Sequence, residues 1–471
     1  MSAAPSESVQ AAFGLFDDDS SDDDDGVQRS PPLAVDSTLQ SLSFLPPAPS
    51  AVALDHRPAA DANQYDTFDA EEVPSLYPPW DDVKPLAVGP IALVTDCEGI
   101  GGSRGYVATR DLAPGTRVLV EQVFVPWPSD VEQTDPAFFI ATLESILARE
   151  DYEDILRHLG FLYPQQLSEL PVELLAAGRA QYGEQLAQLR RDFQHLALSG
   201  DALLQSVFAM QCNAFDSGVF LYNAMFNHDC NPNCVKFTPE DAADGVSEVR
   251  VAAPVRQGEQ LTISYLYPRE QSRARRQRNL QAQFGFACAC ALCTRGDSAL
   301  PAPAPPADAD ADADNGGNGI EAVETALALG EEMLKQKAGA DQVLQLALEA
   351  LSDALEVVAH DHLVLIRLHK LVADSCDVLL RAHPEQDTRE YAILFLRSSC
   401  ELLELQQALL NASHMDLART LNDVSQGIQL LLSYDPGALL SEFPEWTDFR
   451  QASFVENKYR QEYRRIKRLY E

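Results

Sequence analysis

Positive charge is what this sequence lacks most. It holds 35 Lys and Arg against 72 Asp and Glu, a formal net charge of −37 over 471 residues. Binding duplex DNA needs a basic face to neutralise phosphates, so direct sequence-specific DNA binding is not expected. An acidic body instead steers Lys-rich protein partners inward. No apolar run approaches the ~20 residues that cross a bilayer, so no membrane association is expected. Residues 1–7 have no basic n-region and no apolar h-region follows, so no secretory signal is expected and the chain reads as cytoplasmic, nuclear or both. Cysteine is also sparse, nine in all and an odd number. In a reducing compartment closely spaced thiols are more often metal ligands than disulfides.

What is present divides the chain. The length suits two or three domains, and 46% hydrophobic residues supply a sizeable core. Residues 1–88 are rich in Pro, Ser, Ala and Asp and carry 17 Asp and Glu against 3 Lys and Arg, which is −14 of the total and leaves −23 for the rest. They read as a disordered acidic tail. The run Asp17-Asp18-Asp19-Ser20-Ser21-Asp22-Asp23-Asp24-Asp25 follows Phe13, Leu15 and Phe16. It fits a solubilising tail, or a short partner-binding motif with phosphorylatable serines. Order is expected from near Pro90. Strand patterns occupy 91–94, 106–109, 117–121 and 123–125, with a glycine-rich loop over 99–105. Helical spacing then takes over from 134 to 212, marked by Phe138, Leu143, Ile146 and Leu147 and later by Leu186, Leu189 and Phe193. Strand patterns return at 218–224 and 246–252. Residues 297–319, with four prolines and alternating Ala-Asp, read as an extended charged linker.

Beyond the linker, 320–471 is helical. Leu344, Leu348, Leu351 and Leu355 form one apolar stripe, and Leu421, Val424, Ile428 and Leu431 another. Antiparallel helix pairs of a tetratricopeptide-like kind are expected, although no clean 34-residue consensus repeats. The basic stretch 458–468 is either a solvated helix face or a contact to the acidic body.

Cys288, Cys290 and Cys293 place three soft ligands within six residues. Zinc takes four ligands in a tetrahedron, so a fourth thiolate is needed, and Cys230 is the best candidate. Cys97, Cys212, Cys376 and Cys400 lack ligand spacing and read as buried thiols. The alternative is that the triplet is reduced and structural only. The site would be structural and would fold a short coil holding Phe284 and Phe286. Asn227-His228 lies in an apolar stretch with Phe220, Leu221, Tyr222, Met225 and Phe226. Buried, the pair must satisfy its polar groups, which a core arrangement does as well as a ligand site. Tyr265 closes the strand expected over 261–265, where a phenol can orient a nucleophile or serve the core. The arginines from Arg269 to Arg278 read as a basic helix leading into the cysteine loop, with Leu280 and Phe284 on its buried face; the competing reading is a nuclear-import patch.

Taken in order, these pieces resemble the SET-domain lysine methyltransferases, and more closely the SET-and-MYND branch. Asn227 to Asn233 matches N-H-x-C-x-P-N. Gly258 to Tyr265 matches G-E-E-[LI]-x-x-x-Y, with Gln260 in place of the second Glu. Cys288-x-Cys290-x-x-Cys293 matches the post-SET zinc triplet. The resemblance implies an α+β chain. A SET domain with a pseudoknot would fill 89–270, with a helical insert at about 130–212. A zinc-binding post-SET segment would fill 271–296, ahead of the linker (297–319) and the all-α C-terminal domain (320–471). The branch's MYND finger would interrupt 130–150, where there is no cysteine, so that module is absent. The implied methyl donor is S-adenosylmethionine. It would be contacted by Arg104 and Gly105, held by Asn213, Asn227 and His228, stacked by Phe286 and met at its methyl by Tyr265. Cys230, Cys288, Cys290 and Cys293 would bind zinc. The implied substrate is a lysine of a histone or another protein, and the chain is expected to be a monomer. A catalytically silent SET scaffold is the competing expectation.

Overall fold

The computed structural model describes residues 76–95, 104–129, 131, 135, 137–239, 242–298, 317–337, 339–382 and 388–471. The acidic run and most of the 99–105 loop, like Cys97, lie outside the described residues. The chain begins with strands β1 (Ala87–Val88), β2 (Ile91–Val94), β3 (Gly105–Ala108), β4 (Arg117–Gln122) and β5 (Val125–Pro126). Four helices follow: α1 (Phe138–Leu147), α2 (Tyr152–Leu159), α3 (Val172–Asp192) and α4 (Gly200–Cys212). The chain returns to β structure in β6 (Ala214–Phe215), β7 (Gly218–Val219), β8 (Asn227–His228), β9 (Cys234–Phe237), β10 (Val246–Val251) and β11 (Gln260–Ile263).

These strands make three small sheets, ordered β1-β4-β10-β9, β2-β3-β11-β8 and β5-β7-β6. One pairing among the described strands is parallel: β8 lies beside β11 with Asn227 opposite Thr262 and His228 opposite Ile263. Two segments distant in sequence thereby share a strand edge. The helical insert α1–α4 packs as expected, with Phe138, Leu143, Ile146 and Leu147 buried in α1 and Leu186 and Leu189 in α3.

Two boundaries differ from the sequence reading. Residues 76–88 belong to the fold: Trp80 is fully buried, its indole donates to the His158 carbonyl at 3.3 Å, and its ring meets Tyr222 edge-on at 5.3 Å. The strand expected over 218–224 stops at Val219. The cause is Glu121 on β4, whose carboxylate accepts from the backbone N–H groups of Leu221, Tyr222 and Asn223 at 2.8, 2.9 and 2.8 Å. Those donors are taken by a side chain, so no ladder can use them.

The C-terminal part of the chain is all helix. Helices α5 (Arg273–Phe284) and α6 (Ala291–Arg295) carry the cysteine segment. Then come α7 (Gly317–Lys335), α8 (Ala340–Val357), α9 (Leu363–Ala382), α10 (Arg389–Leu409), α11 (Met415–Tyr434), α12 (Pro436–Glu442) and α13 (Phe449–Lys467). Successive long helices pack on one another, burying Leu344 and Leu351 in α8 and Leu421, Val424, Ile428 and Leu431 in α11. Helix α7 starts inside the stretch read as linker, and Asp297 at its other end is held by Arg276 at 3.2 Å and by the Arg273 N–H at 2.5 Å. The helical region is tied to the β half by polar contacts. Arg269 reaches Asp416 at 2.5 Å, and the Asn231 amide donates to the Leu409 carbonyl at 3.0 Å. At Gly115 (φ +87) an added Cβ would stand 2.9 Å from Leu469, so the C-terminal segment requires glycine at this turn.

Burial pushes the Glu121 carboxyl up to about 7 from its ordinary 4.5, against the three N–H donors that pull it down. A carboxyl whose folded pKa is raised gives its full stability below the unfolded value and loses it as pH rises through the folded one. The stability difference between wild type and Glu121→Gln is therefore expected to shift in favour of the variant between about pH 4.5 and 7, as followed by thermal melts across that range. A difference that stays constant with pH would count against this account.

Candidate functional site

The candidate metal centre is built by two segments. Cys230 follows β8 directly; Cys288 lies in the coil after α5, Cys290 caps the N-terminus of α6, and Cys293 sits within that helix. All four Sγ atoms lie within 4.8 Å of one another. Cys230 Sγ is 3.5 Å from Cys293 Sγ and 3.9 Å from Cys288 Sγ. Tetrahedral zinc with Zn–S near 2.3 Å sets sulfur atoms about 3.8 Å apart, so the donor set and spacing fit. Every cysteine among the described residues is free of disulfide. The neighbouring Cys230 thiol is the main cause that pulls the Cys290 thiol down to about 5 and lowers Cys293 as well, while Cys230 and Cys288 are themselves raised. Ionising all four sulfurs together would need a cation between them. Arg276 adds one positive charge beside them: it is fully buried on α5 and its guanidinium lies 3.7 Å from Cys293 Sγ.

His228 connects this centre to Tyr265. Its Nδ1 accepts from the Tyr265 backbone N–H at 2.9 Å, and its Nε2 lies 3.2 Å from Cys230 Sγ. An accepting Nδ1 requires the neutral ring to carry its proton on Nε2, which then points at the cysteine sulfur. Burial pulls the imidazole down to about 4, consistent with that neutral form. The strand expected to run to Tyr265 ends at Ile263 because the Tyr265 N–H goes to this ring. The Tyr265 hydroxyl donates to the Phe226 carbonyl at 2.6 Å, one residue before the Asn-His pair. Phe284 and Phe286 flank the phenol ring, with centroids 5.0 and 6.4 Å away, and Phe286 also lies 6.1 Å from His228.

Asn227 donates from its side-chain amide to the Arg104 carbonyl at 2.8 Å, fastening β8 to the residue just ahead of β3, where Gly105 is buried. The Arg104 guanidinium turns to Tyr77, 3.0 Å from its hydroxyl. Arg104, Asn227, His228, Tyr265 and Phe286 are each half-buried, so each keeps surface open to a ligand. Asn213 sits apart from this group in its bonding. It is buried at the end of α4, and its amide N–H bonds go to the Tyr163 and Ala209 carbonyls, both at 2.7 Å. That leaves its amide oxygen as the group available to a ligand. Two buried residues that support the site carry no motif in the sequence, Arg276 and Glu121. Arg276 was hidden among the arginines of a basic helix. It falls one turn before Leu280 on the same face as Phe284, a spacing that could have marked it as buried.

Residues 103–266 match the family model for the SET domain. The chain carries a SET domain. No curated protein matches it. The matched range includes Arg104, Gly105, Asn213, the Asn227-His228 pair, Cys230 and Tyr265. The cysteine triplet and Phe286 lie beyond it.

One zinc per chain is expected by elemental analysis, falling to zero when Cys293 is changed to Ser. Replacing His228 by Ala removes the ring bonded to the Cys230 sulfur, and zinc affinity should drop about 10- to 100-fold in competition with a chromogenic chelator. Unchanged affinity would show that the imidazole does not support the metal centre.

Proposed function

We propose that this protein is an S-adenosylmethionine-dependent protein-lysine N-methyltransferase acting on a histone or another lysine-bearing protein. Its SET domain is of the class that generally performs this reaction. The observation that carries the reading is Tyr265. Its hydroxyl meets a backbone carbonyl inside a cage of aromatic rings, next to an Asn-His pair held on the neighbouring strand. The helical insert, the cysteine triplet and the C-terminal helices support a likeness to the SET-and-MYND branch without its MYND finger.

Bound there, S-adenosylmethionine would supply an electrophilic methyl group on a sulfonium. Asn227, His228 and the Arg104–Gly105 backbone would hold it, with Phe286 against its adenine. The Asn213 amide oxygen is an acceptor suited to the cofactor's ammonium. The remaining work belongs to the chain. A substrate Lys has a solution pKa of about 10.4 and must shed a proton before its nitrogen can attack. Tyr265, Phe284 and Phe286 offer it an apolar surround that disfavours the ammonium. The Tyr265 hydroxyl and the Phe226 carbonyl then orient the amine, and the rate gain comes largely from this positioning. The Tyr265 phenol is itself raised above its ordinary pKa by burial, so it stays protonated, with its hydrogen on the Phe226 carbonyl and its oxygen lone pairs left to accept from the amine N–H.

Tyr265→Phe should cut methyl transfer by about 100-fold and leave S-adenosylmethionine binding by calorimetry nearly unchanged. Asn227→Ala should abolish the binding itself. A folded, zinc-loaded protein that binds no S-adenosylmethionine would overturn the enzyme reading.

A further inference from the structure

We propose that the exposed face of α13 is a docking surface for the chain's own acidic segment, residues 13–25. Residues 449–471 hold 7 Lys and Arg against 3 Asp and Glu, in a chain of net charge −37. The three acids are matched locally: Glu456 pairs with Arg460 at 3.0 Å, Glu462 with Arg465 at 2.7 Å and Glu471 with Lys467 at 3.7 Å. Arg450, Lys458, Arg464 and Arg468 remain exposed, and none of them forms an ion pair among the described residues. Positions 450, 454, 458, 461, 464 and 468 recur every three or four residues, so they share one side of the helix. Phe454 lies on that side and is 72% exposed. The buried residues Ala452, Glu456 and Ile466 lie on the other side, which packs on α11.

This strip is a row of exposed cations with an aromatic in it, in a chain that is otherwise acidic. Its complement is present in the same chain. Residues 13–25 hold seven Asp and no Lys or Arg, introduced by Phe13, Leu15 and Phe16. The segment lies outside the described residues. The link from Asp25 to Leu76 is long enough to reach any face, since its 50 residues can span up to about 170 Å. Tethering makes the encounter intramolecular, at an effective concentration on the order of mM. A nucleic acid or an anionic membrane would instead have to approach from solution through the field of a body that carries −28 over residues 76–448. The carboxylates lie along the four free cations, and an aromatic of residues 13–16 meets Phe454.

The test uses the full chain. A carbodiimide joins a Lys amine to a carboxylate, so peptide mapping should find Lys458 linked to an Asp of residues 17–25 at low salt. The yield should fall at least tenfold at about 0.5 M salt, where the screening length is only a few ångströms. Arg450→Glu, Arg464→Glu and Arg468→Glu together keep Lys458 as the amine, and they should suppress the link at least tenfold and enlarge the radius of gyration. These side chains are exposed, so circular dichroism should show the fold intact. Absence of the link in the wild type, or a link indifferent to the three reversals, would overturn the proposal. So would α13-dependent binding of single-stranded polynucleotide, or of phosphatidylserine vesicles, that is equal before and after Asp17–Asp19 and Asp22–Asp25 are changed to Asn.

Discussion

The parallel contact between β8 and β11 is the constraint on which the site depends. It sets Asn227 and His228 against the strand that leads to Tyr265, although the two segments are far apart in sequence. Once they are adjacent, one imidazole serves both: its Nδ1 takes the Tyr265 N–H and its Nε2 faces the Cys230 sulfur. The cysteine cluster and the candidate catalytic phenol therefore share a rigid part. The four clustered cysteines do more than fold a loop, because Cys230 follows the end of β8 while Cys288, Cys290 and Cys293 bring Phe284 and Phe286 over the same ring.

Buried ionisable groups support this arrangement from two sides. Glu121 gathers three backbone N–H groups of the turn that precedes β8, and so sets where the chain enters the site. Arg276 lies on the far side of the cysteines, where it balances thiolate charge and reaches Asp297. Such groups are costly to bury alone and are tolerated because each has partners. Asp297 in turn contacts His362 at 3.6 Å, so the metal segment is linked to the C-terminal helices as well as to the β half. The helical region closes back on the domain at Gly115 and Leu469, at Arg269 and Asp416, and at Asn231 and Leu409.

Much of this was legible in the order of residues. Cysteine spacing marks a candidate metal site through ligand chemistry alone. Apolar periodicity marks α1, α8 and α11 because a helix must bury one stripe. The motifs around Asn227, Gly258 and Cys288 named the SET fold, and the matched range 103–266 agrees with it. What local pattern could not reveal was which partner a backbone group takes. The stretch 218–224 has strand composition, yet Glu121, about a hundred residues earlier, claims its donors. Tyr265 was read as a strand residue, yet an imidazole 37 residues away takes its N–H. Residues 76–88 have a tail's composition, yet Trp80 finds a buried place against Tyr222.

The sequence by itself determined the donor types, their spacing, the helical and strand periods and the strong charge asymmetry, because these depend on near neighbours. Only the tertiary structure decided that Cys230 meets the distant triplet, that His228 bridges sulfur and phenol, that Arg276 is buried rather than displayed, and that α13 turns its cations outward. Each of those is a contact between segments far apart in the chain, and its energy exists only after the backbone has brought the two together.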